Sequence, residues 1–105
     1  AFGLPLLQLV DGNVRSPQAL VVCPTRELCV QITKDITNFS VNKRSIRSVA
    51  VYGGASIGQQ IRELKQGIQI VVATPGRLID LIVRKAINLQ NISYIVLDVQ
   101  RNHAK

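Results

Sequence analysis

With 105 residues, 47% of them hydrophobic and 18% charged, the chain has the balance of a folding globular segment and the length of one modest domain, not of a disordered tail. Thirteen Lys and Arg against six Asp and Glu give a net charge of +7, which places polyanions first among the partners to consider. No apolar run approaches the ~18 residues that span a bilayer and no basic stretch precedes a signal-like apolar segment, so membrane insertion and secretion are not expected and a cytoplasmic location is.

Ala1 to Val10 is apolar and contains Pro5, and Asp11-Gly12-Asn13 after it is a loop signal. Ala19-Leu20-Val21-Val22-Cys23, bounded by Pro17 and Pro24, predicts a strand buried on both faces. Leu28, Ile32, Ile36 and Phe39 then recur at helical spacing, predicting a helix of roughly 14 residues with Thr25 as N-cap. Ser48 to Tyr52 predicts a second strand ended by Gly53-Gly54. Ser56-x-x-Gln59 is a capping-box pattern opening a helix with Ile57, Ile61 and Leu64 inward, closed by Gly67 at C′. Ile68 to Ala73 predicts a third strand. Thr74-Pro75 opens a helix through about Lys85 with Leu78, Leu81 and Ile82 inward, and Tyr94-Ile95-Val96-Leu97 predicts a fourth strand ending at Asp98. The alternation of apolar strands with helices implies an α/β fold, a parallel sheet with flanking helices on both faces.

In an open parallel sheet the loops leaving the carboxyl ends of the strands form the ligand edge. Pro24-Thr25-Arg26, Gly53-Gly54, Thr74-Pro75-Gly76-Arg77 and Asp98 would share that rim. Three of these junctions open helices, whose unpaired N–H groups and dipoles favour anions. Either threonine alone is explained by capping. Two junctions each placing an arginine in a first helical turn, where a cation costs roughly 0.3–1 kcal/mol unless an anion is bound, point to phosphates. Only 4% of residues are aromatic and none is Trp, so a nucleic acid would be held by its backbone and not by stacked bases.

Other features carry no chemistry. Gly53-x4-Gly58 imitates a phosphate loop, but Gln59-Gln60 stands where Lys and Ser/Thr are required, and no Gly-Lys dipeptide occurs. Cys23 and Cys29 lack zinc-ligand spacing and are expected as buried free thiols. Arg44 and Arg47 fall on the opposite rim, and Arg62, Lys65, Arg84 and Lys85 on mid or late helix positions that solvation explains. Glu27 and Glu63 are not placed as a catalytic pair, and His103 has no partner.

Pro24-Thr25-Arg26-Glu27-Leu28, Gly53-Gly54, Thr74-Pro75-Gly76-Arg77-Leu78 and Tyr94-Ile95-Val96-Leu97-Asp98 resemble, in order and spacing, the first RecA-like domain of DEAD-box RNA helicases, with the look of a bacterial member. There they correspond to motif Ia, the GG motif, motif Ib and the entry to the DEAD box, and Ala1-Phe2-Gly3-Leu4-Pro5-Leu6-Leu7 looks like the helix after the P-loop. The resemblance implies that residues 1–105 are a partial RecA-like (P-loop NTPase-like) domain beginning after the P-loop and ending at a degenerate DEAD box. It implies RNA as partner, held through the sugar-phosphate backbone by Thr25, Arg26, Gly53, Gly54, Thr74, Gly76 and Arg77. It also implies ATP and Mg2+ as cofactors of the full-length family, with domain closure around RNA separating a duplex.

Against the family's Asp-Glu-Ala-Asp this chain has Asp98-Val99-Gln100-Arg101. By the resemblance Asp98 would retain the magnesium-side carboxylate, while Val99 replaces the carboxylate that positions or activates the attacking water and Arg101 sets a positive charge where an acid belongs. Neither cofactor is therefore expected to bind well to these residues, no catalytic residue is intact, and no ATPase activity is expected from them. The loss of family pattern after Asp98 suggests a truncated or frame-shifted reading frame. The alternatives are a stand-alone non-catalytic RNA-binding or interaction module and a flavodoxin-like domain for a small phosphate ligand. Self-association through exposed sheet edges is a further expectation.

Overall fold

The computed structural model describes residues 10–39 and 46–97. The expectations placed on Ala1–Leu7, Arg44, Asp98 and His103 lie outside them. Within the described residues the chain runs β1 (Ala19–Val22), α1 (Arg26–Phe39), β2 (Ser48–Val51), α2 (Ile57–Leu64), β3 (Ile70–Ala73), α3 (Pro75–Val83) and β4 (Tyr94–Leu97). The four strands form one parallel sheet in the order β2-β3-β1-β4.

Apolar alternation along each strand divides the core into two layers. Ala19, Val21, Ile70 and Val72 pack with Cys23 and with Cys29, Ile32 and Ile36 of α1. Leu20, Val49, Val51, Val71 and Ala73 face the other way, against Leu64 of α2 and Leu81 of α3. The chain crosses the sheet one way from β1 to β2 and returns the other way through β3 to β4. Crossovers of one hand run in opposite directions land on opposite faces, which is why α1 lies alone on its side. The most apolar strand, β3, is buried at every residue, while Ile95 and Leu97 of the edge strand β4 are 64% and 71% exposed.

Two helix ends and one inward position depart from the sequence reading. α2 stops at Leu64 with Lys65 as C-cap, so Gly67, at φ +88°, stands one position beyond the expected C′. There a Cβ would lie 3.1 Å from Nε of Arg15. α3 stops at Val83 because Lys85 takes φ 55°. The Lys85 N–H then donates to the Ile82 carbonyl at 3.0 Å and the Ala86 N–H to the Leu81 carbonyl at 2.9 Å, the pair of bonds that defines a Schellman end. Ile82, expected inward, is 42% exposed, because the buried stripe of this short helix is carried by Leu78 and Leu81.

The rim at the amino ends of the strands is held by two buried glutamines. Gln69 accepts the Arg47 N–H at 2.8 Å and donates to the carbonyls of Val14 at 3.2 Å and Gly12 at 3.4 Å. Gln18 accepts the Asp11 N–H at 2.8 Å and donates to the Asp11 carbonyl at 2.7 Å. Arg47 thus lies on the side away from the loops considered next, as its position before β2 implied.

Candidate functional site

Val51, Ala73, Val22 and Leu97 are aligned across the sheet, so β2, β3, β1 and β4 end level with one another. The ladder continues one step beyond the strands: the Thr74 N–H donates to the Val51 carbonyl at 3.1 Å and the Cys23 N–H to the Ala73 carbonyl at 2.9 Å. The loops Cys23–Arg26, Tyr52–Ser56 and Thr74–Arg77 are thereby brought to one rim, as parallel strands require. Asp98 lies outside the described residues.

Each loop opens a helix differently. Thr25 Oγ1 accepts the Leu28 N–H at 3.2 Å and caps α1, and Ser56 Oγ accepts the Gln59 N–H at 3.3 Å and caps α2. Thr74 occupies the N-cap of α3 with extended backbone, φ −80° and ψ 150°, and its hydroxyl makes no capping bond. Pro75 at the first helical position has no N–H to satisfy, which lightens the demand for a cap.

The two arginines converge on the turn after β2. The guanidinium carbon of Arg26 stands 5.7 Å from the centroid of the Tyr52 ring, within cation–π range. A Cβ at Gly54 would lie 3.4 Å from Nη1 of Arg26, and Gly54 has φ +84°, so this position requires glycine. Arg77 Nη2 donates to the Ala55 carbonyl at 3.2 Å, and its Nη1 donates to Gln60 Oε1 at 2.8 Å. Gln60, 5% exposed, donates in turn to the Tyr52 carbonyl at 3.2 Å. A Cβ at Gly53 or Gly76 would meet nothing within 4 Å, so both backbones are open to an approaching ligand.

Among the described residues the one ion pair is Arg84–Asp80, an i,i+4 pair late on α3. Neither Arg26 nor Arg77 has a carboxylate partner there, and their charges add to the dipoles of three helix starts. The arrangement is a shallow cationic rim built from backbone N–H groups, hydroxyls and guanidinium groups. Such a set has the chemistry to accept a phosphate and few groups suited to a base edge. No group of three or more His, Cys, Asp or Glu that could hold a metal occurs among the described residues.

Cys23 and Cys29 flank the first of these loops, and both are buried free thiols, as expected. Burial pushes the Cys29 thiol above its ordinary value, partly opposed by its hydrogen bond with Cys23. A protonated, enclosed thiol is a packing group and a poor nucleophile.

Of the seven residues singled out from sequence, Arg26 and Gly54 stand together, with Gly53 beside them, and Arg77 reaches the same turn. Thr25, Thr74 and Gly76 lie on the same rim in the neighbouring loops. Tyr52 and Gln60 were not singled out. Gln60 carried a signal: it sits three residues after Ile57 and four before Leu64, on the apolar face of α2, where a polar residue demands a buried partner.

The family model of the DEAD/DEAH box helicases matches residues 1–99. ATP-dependent RNA helicase DeaD of Escherichia coli is 50% identical over 98 residues, covering 93% of this chain and 16% of that protein. DEAD-box ATP-dependent RNA helicase CshA of Streptococcus pneumoniae is likewise 50% identical over 98 residues, covering 93% of this chain and 18% of its own length. The crystal structure of a DEAD box protein from the hyperthermophile Methanococcus jannaschii superposes with a TM-score of 0.86 at 40% identity, covering 92% of this chain and 26% of that one. The chain therefore spans less than a fifth of the length of these curated relatives.

Proposed function

The chain belongs to the DEAD/DEAH box helicase family, and from that premise we propose that it is the RNA-gripping part of the first RecA-like domain of an ATP-dependent RNA helicase, without ATPase activity of its own. The observation that carries this reading is the convergence of Arg26 and Arg77, neither with a carboxylate partner among the described residues, on the Tyr52–Ala55 turn at the carboxyl ends of the strands.

The geometry supports a grip on the sugar-phosphate backbone in three parts. Helix starts at Thr25 and Thr74 present N–H groups to phosphate oxygens. Gly53 and Gly76, with open space where a side chain would stand, let a strand come against the main chain. Arg26 and Arg77 supply positive charge, and of the five N–H donors of Arg77 two are committed within the protein, leaving three. In a complete helicase this surface would hold one strand while ATP closes a second domain over it.

ATP and Mg2+ do not fit the residues present. Set against Asp-Glu-Ala-Asp, Asp98-Val99-Gln100-Arg101 keeps one of three acids, with Val99 and the cation Arg101 where the other two would stand. A cytoplasmic location accompanies this reading, and no helix among the described residues is long and apolar enough to cross a membrane.

The test is binding of a fluorescent single-stranded RNA by the 105-residue chain and by its Arg26→Ala/Arg77→Ala form, followed by anisotropy. Loss of two charge-assisted phosphate contacts is expected to weaken binding by about 100-fold or more. An unchanged affinity would count against the site.

A further inference from the structure

We propose that Gln60 is the positioning residue of this rim: with Arg77 it clasps both ends of the Gly53-Gly54 turn and so sets RNA affinity without touching RNA. The inference rests on the RNA-binding reading above and adds to it a residue outside the family motifs identified in the sequence.

Gln60 is 5% exposed, and a buried amide is tolerated only when its donor and acceptor are both satisfied. Its Nε2 donates to the Tyr52 carbonyl at 3.2 Å and its Oε1 accepts from Arg77 Nη1 at 2.8 Å. Arg77 Nη2 then donates to the Ala55 carbonyl at 3.2 Å. Tyr52 and Ala55 are the residues immediately before and after Gly53-Gly54. One hydrogen-bonded pair of side chains, from α2 and from the start of α3, therefore holds the carbonyl on each side of the turn.

Two consecutive glycines give this turn the widest backbone freedom of any dipeptide, with Gly54 already at φ +84°. Left untied, the turn would have to be ordered each time a strand bound, and that ordering cost would come out of the affinity. The clasp orders it beforehand. It also fixes the guanidinium of Arg77 beside the turn, through two of its five N–H groups. Arg77 is in this view both a charge on the rim and one half of its frame.

The experiment compares the 105-residue chain with Gln60→Leu, Gln60→Glu, Arg77→Ala and the Gln60→Leu/Arg77→Ala pair. Backbone order parameters of Gly53 and Gly54 are measured by NMR without RNA, and affinity for single-stranded oligouridine by anisotropy. Gln60→Leu is expected to drop both order parameters from about 0.85 toward 0.6 and to weaken RNA binding about tenfold, the equivalent of one charge-assisted hydrogen bond. Gln60→Glu keeps an acceptor for Arg77 and loses the donor to Tyr52, so it falls between the two, and it carries the comparison if the leucine form does not fold. Adding Gln60→Leu to Arg77→Ala is expected to weaken binding by clearly less than the roughly tenfold it costs alone, because the Gln60–Arg77 bond is already lost and only the Gln60–Tyr52 bond remains to be removed.

Unchanged glycine order in a folded Gln60 variant overturns the clasp, whether or not RNA binds. Losses that multiply in the double variant overturn action through Arg77. An unsubstituted chain that binds no RNA, with the glycines still responding to Gln60, overturns the functional reading and the affinity claim while the clasp stands.

Discussion

Gly53 and Gly54 are adjacent and chemically identical, yet the fold asks different things of them. Gly54 has φ +84°, so an alanine there is strained, although its Cβ would meet Nη1 of Arg26 only at ordinary contact distance, 3.4 Å. Gly54→Ala should cost about 1–2 kcal/mol of stability, measured by urea unfolding. Gly53→Ala meets nothing within 4 Å and should leave stability within about 0.5 kcal/mol of the parent, while weakening RNA binding by blocking close approach. Equal stability losses at both positions would assign the pair to turn geometry alone. Seven rim residues were legible in the sequence because motif order and strand ends placed them. Tyr52 was not, since its contact with Arg26 arises only when the loops meet, and Gln60 showed only as a polar residue on the apolar face of α2, its partners Tyr52 and Arg77 being set by the fold.

At the scale of the element, Thr25 and Thr74 form a matched pair. Both stand before helices, but only Thr25 caps, accepting the Leu28 N–H at 3.2 Å. Thr25→Ala should therefore lower the stability of the chain by about 1 kcal/mol, and Thr74→Ala by little, within about 0.5 kcal/mol. Thr74→Ala should instead appear in RNA affinity. Thermal and denaturant unfolding of the two variants, set beside their RNA titrations, checks the contrast. Helix starts were readable because capping residues and Pro75 act locally. Helix ends were less so: no residue-level signal marks Lys85 for a left-handed conformation, which is held by the carbonyls of Leu81 and Ile82 behind it. α1, by contrast, was predicted at its observed length because Leu28, Ile32 and Ile36 all bury on one face.

Across the whole molecule, the parallel sheet with helices on both faces was legible from near-continuous apolar strands, but the order β2-β3-β1-β4 was not, because it depends on which strands pair across the crossovers. The order places β4 at an edge, with Ile95 and Leu97 largely exposed beside β1. Exposed apolar strands at a sheet edge favour association, so the 105-residue chain is expected to self-associate at high concentration. Leu97→Lys should shift its sedimentation toward the monomer, and a parent chain that stays monomeric at high concentration would remove this expectation. The sheet also sets the level rim on which the functional account depends.

A grip on phosphates that is indifferent to sequence is tested most directly by the salt dependence of RNA binding. Two single-stranded RNAs of unrelated sequence should bind with equal affinity, each falling with salt at a log–log slope of about −2 to −3, from roughly three or four phosphates at about −0.7 each. A slope near zero, or a strong preference for one of the two RNAs, would contradict it.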